Sequence, residues 1–268
     1  MRNAVTLSNG REIPQFGLGV YQVPRGSVTE GAVKTALGLG YRHIDTAHIY
    51  GNEASVMAGI RAAGVPREEV WITSKFSSYA NDYRNPAAMD QMLERLGTDY
   101  VDLVLLHEYS PAWKYGWQLL EQALSEGKAR SIGVSNFNGK NLSDLMDFAT
   151  IKPHVLQVER HPYYQQKSLR GFLAPYGTVL EDWYPLGHGD RGLLSEPLFA
   201  QLGAKYGKSN AQIILRWHIQ EGSVVFPSST NPEHLAQNID IFDFELTDGE
   251  MAQIQAMDKN QYLNKYGK

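Results

Sequence analysis

Val101-Asp102-Leu103-Val104-Leu105-Leu106-His107 is almost unbroken apolar sequence that stops on a histidine. A strand with one wet face alternates apolar and polar residues, so this run predicts a strand buried on both faces, as in a parallel sheet covered by helices. Ser223-Val224-Val225-Phe226 has the same character. Outward from these two, shorter β-like runs fall at 16–19, 41–45, 70–75, 131–135, 155–158 and 178–183. Amphipathic helical patterns separate them at 28–39, 53–63, 86–96, 116–126, 140–149 and 167–174. Two more, 198–206 and 210–220, both precede the last run, so one of them is an addition, and 234–239 and 248–257 close the chain. Strands alternating with helices make parallel βαβ units. Eight of them in 268 residues predict a (β/α)8 TIM barrel of the α/β class rather than an open sheet. Val5-Thr6-Leu7 and Arg11-Glu12-Ile13 around Asn9-Gly10 add an N-terminal β-hairpin.

No linker or composition shift divides the chain, which predicts a single barrel domain over 1–268. A hydrophobic share of 43% excludes a disordered chain. The absence of cysteine excludes disulfides, thiolate metal sites and a cysteine nucleophile. His107-Glu108 has no second histidine at zinc-motif spacing and the other histidines do not cluster, so no metal is expected. A net charge of −4 offers neither a nucleic-acid surface nor a polybasic membrane patch. No apolar run approaches the ~18 residues of a membrane span. The start, Met1-Arg2-Asn3-Ala4-Val5, lacks the apolar core of a secretion signal, so a soluble cytoplasmic protein is expected.

In such barrels the chemistry sits where the strands end at their C-terminal edge. The run at 41–45 ends on Asp45 and leads to Tyr50, the run at 70–75 ends on Lys75, and the run at 101–107 ends on His107. Singly, each has a bland reading as a turn cap, a solvated charge or a hydrogen-bonded structural group. Together they fit carbonyl reduction. A phenol with an ordinary pKa of ~10 is a slow acid at neutral pH. An adjacent ammonium such as Lys75 is expected to lower it, with Asp45 keeping the ammonium charged. His107 then donates to the substrate oxygen as negative charge develops. Tyr50 is the expected general acid.

His43-Ile44-Asp45-Thr46-Ala47, Tyr50-Gly51-Asn52-Glu53, Lys75, Leu106-His107, Gly133-Val134-Ser135-Asn136 and Glu159-Arg160-His161-Pro162 resemble the aldo-keto reductase superfamily. Trp217-His218, Val224-Val225-Phe226-Pro227 and Ile241-Phe242-Asp243-Phe244 place the likeness nearest the bacterial branch similar to 2,5-diketo-D-gluconate reductases. The resemblance implies the catalytic set Asp45, Tyr50, Lys75 and His107, a monomer, and a nicotinamide cofactor, NADP(H), with NAD(H) left open. It places Ser135, Asn136 and Gln157 on the nicotinamide carboxamide and Trp183 on its ring. Leu186 and the loop to Gly192 would follow the pyrophosphate, Gly19, Val20 and Tyr21 would lie beside the cofactor, and Asn238 would meet the adenine. Gly17-Leu18-Gly19-Val20-Tyr21-Gln22 lacks a third glycine and is read as a strand-one turn, not a Rossmann loop.

Departures from the family pattern carry further expectations. NADPH-preferring members carry Lys and Arg where this chain has Ser228-Ser229 and His234, so a weakened NADPH preference is expected. Helix N-terminal amides near Asn231 are the remaining means of holding a phosphate. Tyr184 stands where Ser is usual and Leu156 where Asn is usual. Ser77 and Glu108 stand where indoles are common, which with Tyr21 suggests an open, more polar pocket for small carbonyl substrates, and a Glu108 charge there if it faces the cavity. The tail from Asp258 to Lys268 is too short for a long clamping lid, and Tyr262 and Tyr266 suggest a packed last turn. The competing functional class is a non-catalytic barrel that binds nucleotide or a protein partner.

Overall fold

The structure, a computed structural model, describes residues 3–263. The runs anticipated above form eight parallel strands that pair in chain order. They are β3 (Leu18–Gly19), β4 (His43–Asp45), β5 (Trp71–Phe76), β6 (Leu103–Leu106), β7 (Ile132–Ser135), β8 (Val155–Glu159), β9 (Val179–Trp183) and β10 (Val224–Val225). The last closes on the first through a parallel bridge between Phe16 and Val225. At that seam Gly17 N–H donates to Val225 O and Val225 N–H to Gln15 O, both at 2.9 Å. Closure is tight enough that a Cβ on Gly19 would sit 2.8 Å from the Phe226 carbonyl.

The antiparallel hairpin of β1 (Ala4–Thr6) and β2 (Glu12–Pro14) plugs the N-terminal end of the barrel. Its Leu7 and Ile13 pack with Trp71, Leu103, Leu105, Val155 and Val224 as an apolar floor. Strand side chains alternate in direction, so Ile72, Phe76, Val104, Leu106, Leu156 and Leu180 meet the surrounding helices instead. On β5 the inward sequence is Trp71, Thr73, Lys75, and on β8 it is Val155, Gln157, Glu159. The barrel interior thus runs from apolar at the floor to ionic at the mouth. These strands look continuously apolar because only the outer face and the floor are.

The helices between strands are α1 (Ser27–Gly38), α2 (Glu53–Ala63), α3 (Ala88–Leu96), α4 (Trp113–Ser125), α5 (Gly139–Phe148) and α6 (Lys167–Leu173). Before β10 come a short α7 (Arg191–Leu194), α8 (Pro197–Tyr206) and α9 (Asn210–Gln220). α9 starts on a capping box between Ser209 and Gln212 and leads directly to β10, so α8 is the added element. Its Phe199 and Leu202 pack on Ile213 and Trp217 in a second apolar cluster. α10 (Pro232–Ile239) and α11 (Asp248–Gln255) follow. Tyr262 lies outside any helix and meets Tyr164 at 4.5 Å between ring centroids, not a tyrosine in its own last turn; Tyr266 lies outside the described residues.

β6 begins at Leu103, two residues later than the apolar run. Asp102 interrupts it because its carboxylate accepts from Ile72 N–H at 3.0 Å and Arg67 Nη2 at 2.8 Å. At the other end His107 lies just past the strand, with its N–H still donating to Phe76 O at 2.9 Å.

Gly133 sets a limit on the barrel wall. A Cβ there would stand 2.3 Å from Val155 O and 2.8 Å from Leu105 Cδ2. Backbone cannot yield as a flexible side chain does, so Gly133→Ala is expected to destabilise the fold by about 2–4 kcal/mol. Urea unfolding of the two proteins checks this, and a difference near zero would contradict it.

Candidate active site

Register between β4 and β5 sets Asp45 opposite Thr73, and Lys75, two residues on and on the same inward face, reaches back across the barrel. Its Nζ donates to Asp45 Oδ1 at 2.7 Å, to Asp45 Oδ2 at 2.8 Å and to Thr46 O at 2.8 Å. An ammonium has three protons, so all three are engaged. The two side chains are 0% and 3% exposed. Gln157 Nε2 then donates to Asp45 Oδ2 at 2.9 Å and to Glu181 Oε2 at 2.8 Å.

Tyr50 follows β4 in a single 3-10 turn, His48–Tyr50, which Gly51 ends in the left-handed conformation at φ 66°. Two neighbours hold this loop. Asn52 Nδ2 donates to Val20 O at 2.9 Å and Val23 O at 3.2 Å, while its Oδ1 accepts from Thr46 Oγ1 at 2.7 Å. Glu53 accepts from Ser74 Oγ at 2.6 Å and Arg95 Nε at 2.5 Å. The phenol oxygen consequently stands 3.4 Å from His107 Nε2, with Lys75 Nζ 5.1 Å from the Tyr50 ring centre. The four residues singled out at the strand ends are brought together.

Their electrostatics differ from the sequence expectation at one point. The Tyr50 phenol is pushed well above its ordinary value of 10.0, first by burial and then by the charge of Asp45. Lys75 does not reverse this, because its ammonium is paired with Asp45, whose charge acts on the phenol in the opposite sense. Tyr50 therefore keeps its proton. Burial, and then the Lys75 charge, hold His107 down to about 3, so its imidazole is neutral. Burial raises Asp45, and the Lys75 ammonium and Gln157 amide pull it back.

A cavity of about 930 Å3 opens over this group. Its wall includes Asp45, Tyr50, His107, Gly19, Tyr21, Ser135, Asn136, Gln157, Trp183, Tyr184, Leu186, Ser228, Ser229 and His234. Asn136 takes φ 60°, and its Oδ1 accepts from Trp183 Nε1 at 3.1 Å. Besides Lys75, which is buried beneath the wall, four anticipated residues do not line it. Val20 is fully buried, with its backbone tied to Asp45 and Asn52. Asn238 is buried on α10 behind the wall. Ser77 is buried, and Glu108 neither faces the cavity nor stands free in solvent. The Glu108 carboxylate accepts from Ser78 N–H at 2.5 Å and Ser77 Oγ at 3.2 Å. The turn at 78–80 presents that N–H, and a charge-assisted hydrogen bond to it holds the carboxylate there.

Among the described residues no Lys or Arg lines the cavity. At its far end the start of α10 offers few free amides. Pro232 has none, and Asn231 Oδ1 accepts from Glu233 N–H at 2.8 Å.

Residues 16–259 match the Aldo/keto reductase family. The chain belongs to that family. A glyoxal reductase of Bacillus subtilis is 44% identical over 263 residues, covering 97% of this chain and 95% of its own. A 9,11-endoperoxide prostaglandin H2 reductase of Trypanosoma cruzi is 43% identical over 265 residues, covering 97% and 93%. The crystal structure of a Bombyx mori aldo-keto reductase in complex with NADP superposes with a TM-score of 0.88 at 34% identity, covering 98% and 95%. This aldo/keto reductase is an oxidoreductase of carbonyl compounds. Sequence reasoning passed over Asn52 and Glu181 as functional supports. The signal for Glu181 was present, since Glu181-Asp182 stands inside the otherwise apolar run Val179–Trp183.

The buried titrating groups predict how stability depends on pH. Burial holds His43 and His107 down to about 3 from the ordinary 6.5. The unfolded chain therefore binds protons below 6.5 that the folded reductase refuses, and stability is lost as pH falls through that range. Burial and the Asp45 charge raise Glu181 from 4.5 to about 8, so its contribution falls as pH rises over that interval. Two protons outweigh one on the acid side. Urea unfolding at pH 5, 6, 7 and 8 is expected to show a maximum near pH ~6.5–7, with a loss of about 1 kcal/mol per pH unit below it.

Proposed function

We propose that this reductase converts small polar or sugar-like aldehydes and ketones to alcohols, with Tyr50 as general acid. The observation that carries this reading is the convergence of a protonated Tyr50 hydroxyl and a neutral His107 Nε2, 3.4 Å apart, in the cavity wall. A carbonyl oxygen seated between them meets two donors at the position where negative charge develops. A bound reduced nicotinamide dinucleotide supplies the hydride. Tyr50 gives its proton to the substrate oxygen, and the charge left on the phenolate lies near the Lys75 ammonium, 5.1 Å from the ring centre, which Asp45 keeps in place. His107 Nε2–H orients the oxygen.

The residues present fit such a dinucleotide, NADP(H) or NAD(H). Ser135, Asn136 and Gln157 offer hydroxyl and amide groups suited to a carboxamide, and Trp183 offers a ring face. The long cavity continues past Leu186 to Ser228, Ser229 and His234. That end has no Lys or Arg, and Asn231 already caps the Glu233 amide of α10, which supports use of NADH alongside or ahead of NADPH. Without two indoles at positions 77 and 108 the mouth is less apolar, and Tyr21 is 39% exposed at its edge. The likeness to a glyoxal reductase supports a small polar carbonyl. We read the chain as one barrel domain, monomeric and cytoplasmic, with no affinity for nucleic acid. The support is a site assembled from one chain, the mild negative charge, the lack of cysteine, and the absence among the described residues of a helix long and apolar enough to cross a membrane.

Tyr50→Phe is expected to lower kcat/KM for a model aldehyde by about 10²–10⁴-fold while leaving the Kd of the reduced cofactor within about twofold. Turnover that survives loss of the phenol would remove the mechanism. A substrate panel run at pH 8 with both cofactors is expected to favour small polar carbonyls over bulky aromatic ketones, with kcat/KM for NADH at or above that for NADPH. A large preference for NADPH contradicts the cofactor reading, and a large preference for aromatic ketones contradicts the pocket reading.

A further inference from the structure

Gln157 and Glu181 are register partners on neighbouring strands β8 and β9, and both side chains point into the barrel. Glu181 is fully buried beneath the cavity, outside its wall. Gln157 is 3% exposed and belongs to the wall. Its amide nitrogen sits between two carboxylates, Asp45 Oδ2 at 2.9 Å and Glu181 Oε2 at 2.8 Å. An amide NH2 has two protons, so both are used here. Its Oε1 accepts no hydrogen bond among the described residues. Turning the amide over would aim that oxygen's lone pairs at two acceptors, which a low-dielectric interior penalises heavily.

We propose that Glu181 is a positioning residue for the cofactor, locking the Gln157 amide so that its oxygen faces the cavity as a fixed acceptor for the nicotinamide carboxamide NH2. This rests on the reading of the cavity as a dinucleotide site. Asp45 alone takes only one of the two amide protons, so without Glu181 a single contact would hold the amide. Either protonation state of Glu181 retains an accepting oxygen, so the lock does not depend on pH. Its consequence is selectivity for a cofactor ring that carries a hydrogen-bond donor. A ring with a ketone in place of the carboxamide has the same outline and lacks the donor.

The experiment measures Kd by quenching of tryptophan fluorescence, using whichever of NADH and NADPH the wild type binds more tightly and its reduced 3-acetylpyridine analogue. The wild type is expected to favour the carboxamide about tenfold, the size of one hydrogen bond to a held acceptor. In Glu181→Met the amide keeps only its contact with Asp45 and turns more readily, and the preference is expected to fall to within about twofold through weaker binding of the carboxamide cofactor alone. Glu181→Gln retains an acceptor and is expected to keep the preference. Glu181→Ala, which leaves room for water, serves as the second acceptor-free variant should the methionine fail to fold. Equal weakening of both dinucleotides in the acceptor-free variants, or an unchanged preference, overturns the role of Glu181 alone. Failure of the wild type to bind either dinucleotide overturns the cavity reading and this role with it.

Discussion

The buried pair of Lys75 and Asp45 is the contact on which the rest of the site depends. Removing two charges from water is expensive, and only close geometry with every remaining lone pair and proton satisfied compensates for it. Here the ammonium has three acceptors, and the carboxylate is shared between the ammonium and the Gln157 amide. The partners come from β4, β5 and β8, so one interaction ties three staves of the barrel at the level where the chemistry occurs. The polar layer around it is not an isolated defect in an oily core. Apolar residues of the hairpin and of the strand starts close the floor beneath it, and the helices seal the outside.

Much of this was readable in advance, for a definite reason. A parallel strand covered on both sides writes an apolar run, and the residue that ends it at the C-terminal edge stands at the barrel mouth. His107 ends such a run, Asp45 and Lys75 end shorter β-like runs of mixed character, and Tyr50 lies five residues past Asp45. The order of strands and helices followed from the same alternation. Position along a strand gives parity and height, which is nearly all that a catalytic side chain on a barrel needs.

What stayed hidden depends on direction and competition rather than position. Glu108 sits one residue beyond His107, yet its carboxylate turns to an amide that the turn at 78–80 brings up from another loop. Val20 follows Gly19 in the chain, but parity sends its side chain into the core. The state of Tyr50 hinges on its burial and on the Asp45 charge beside it, and an apolar-run reading says nothing of either. Glu181 was visible as a charge in an apolar strand, while its purpose appears only when β8 and β9 are set in register.

Asn52 joins the loops after β3 and β4 through one side-chain amide, accepting from Thr46 and donating to Val20 and Val23. The backbone paths that carry Tyr21 and Tyr50 are thereby a single mechanical unit, and their rings stand 5.0 Å apart as its two ends. Variation at the mouth of this enzyme is then free in its side chains and closed in its chain path. Ile49 and Tyr21 stand exposed along that path, whereas Asn52 is the rivet.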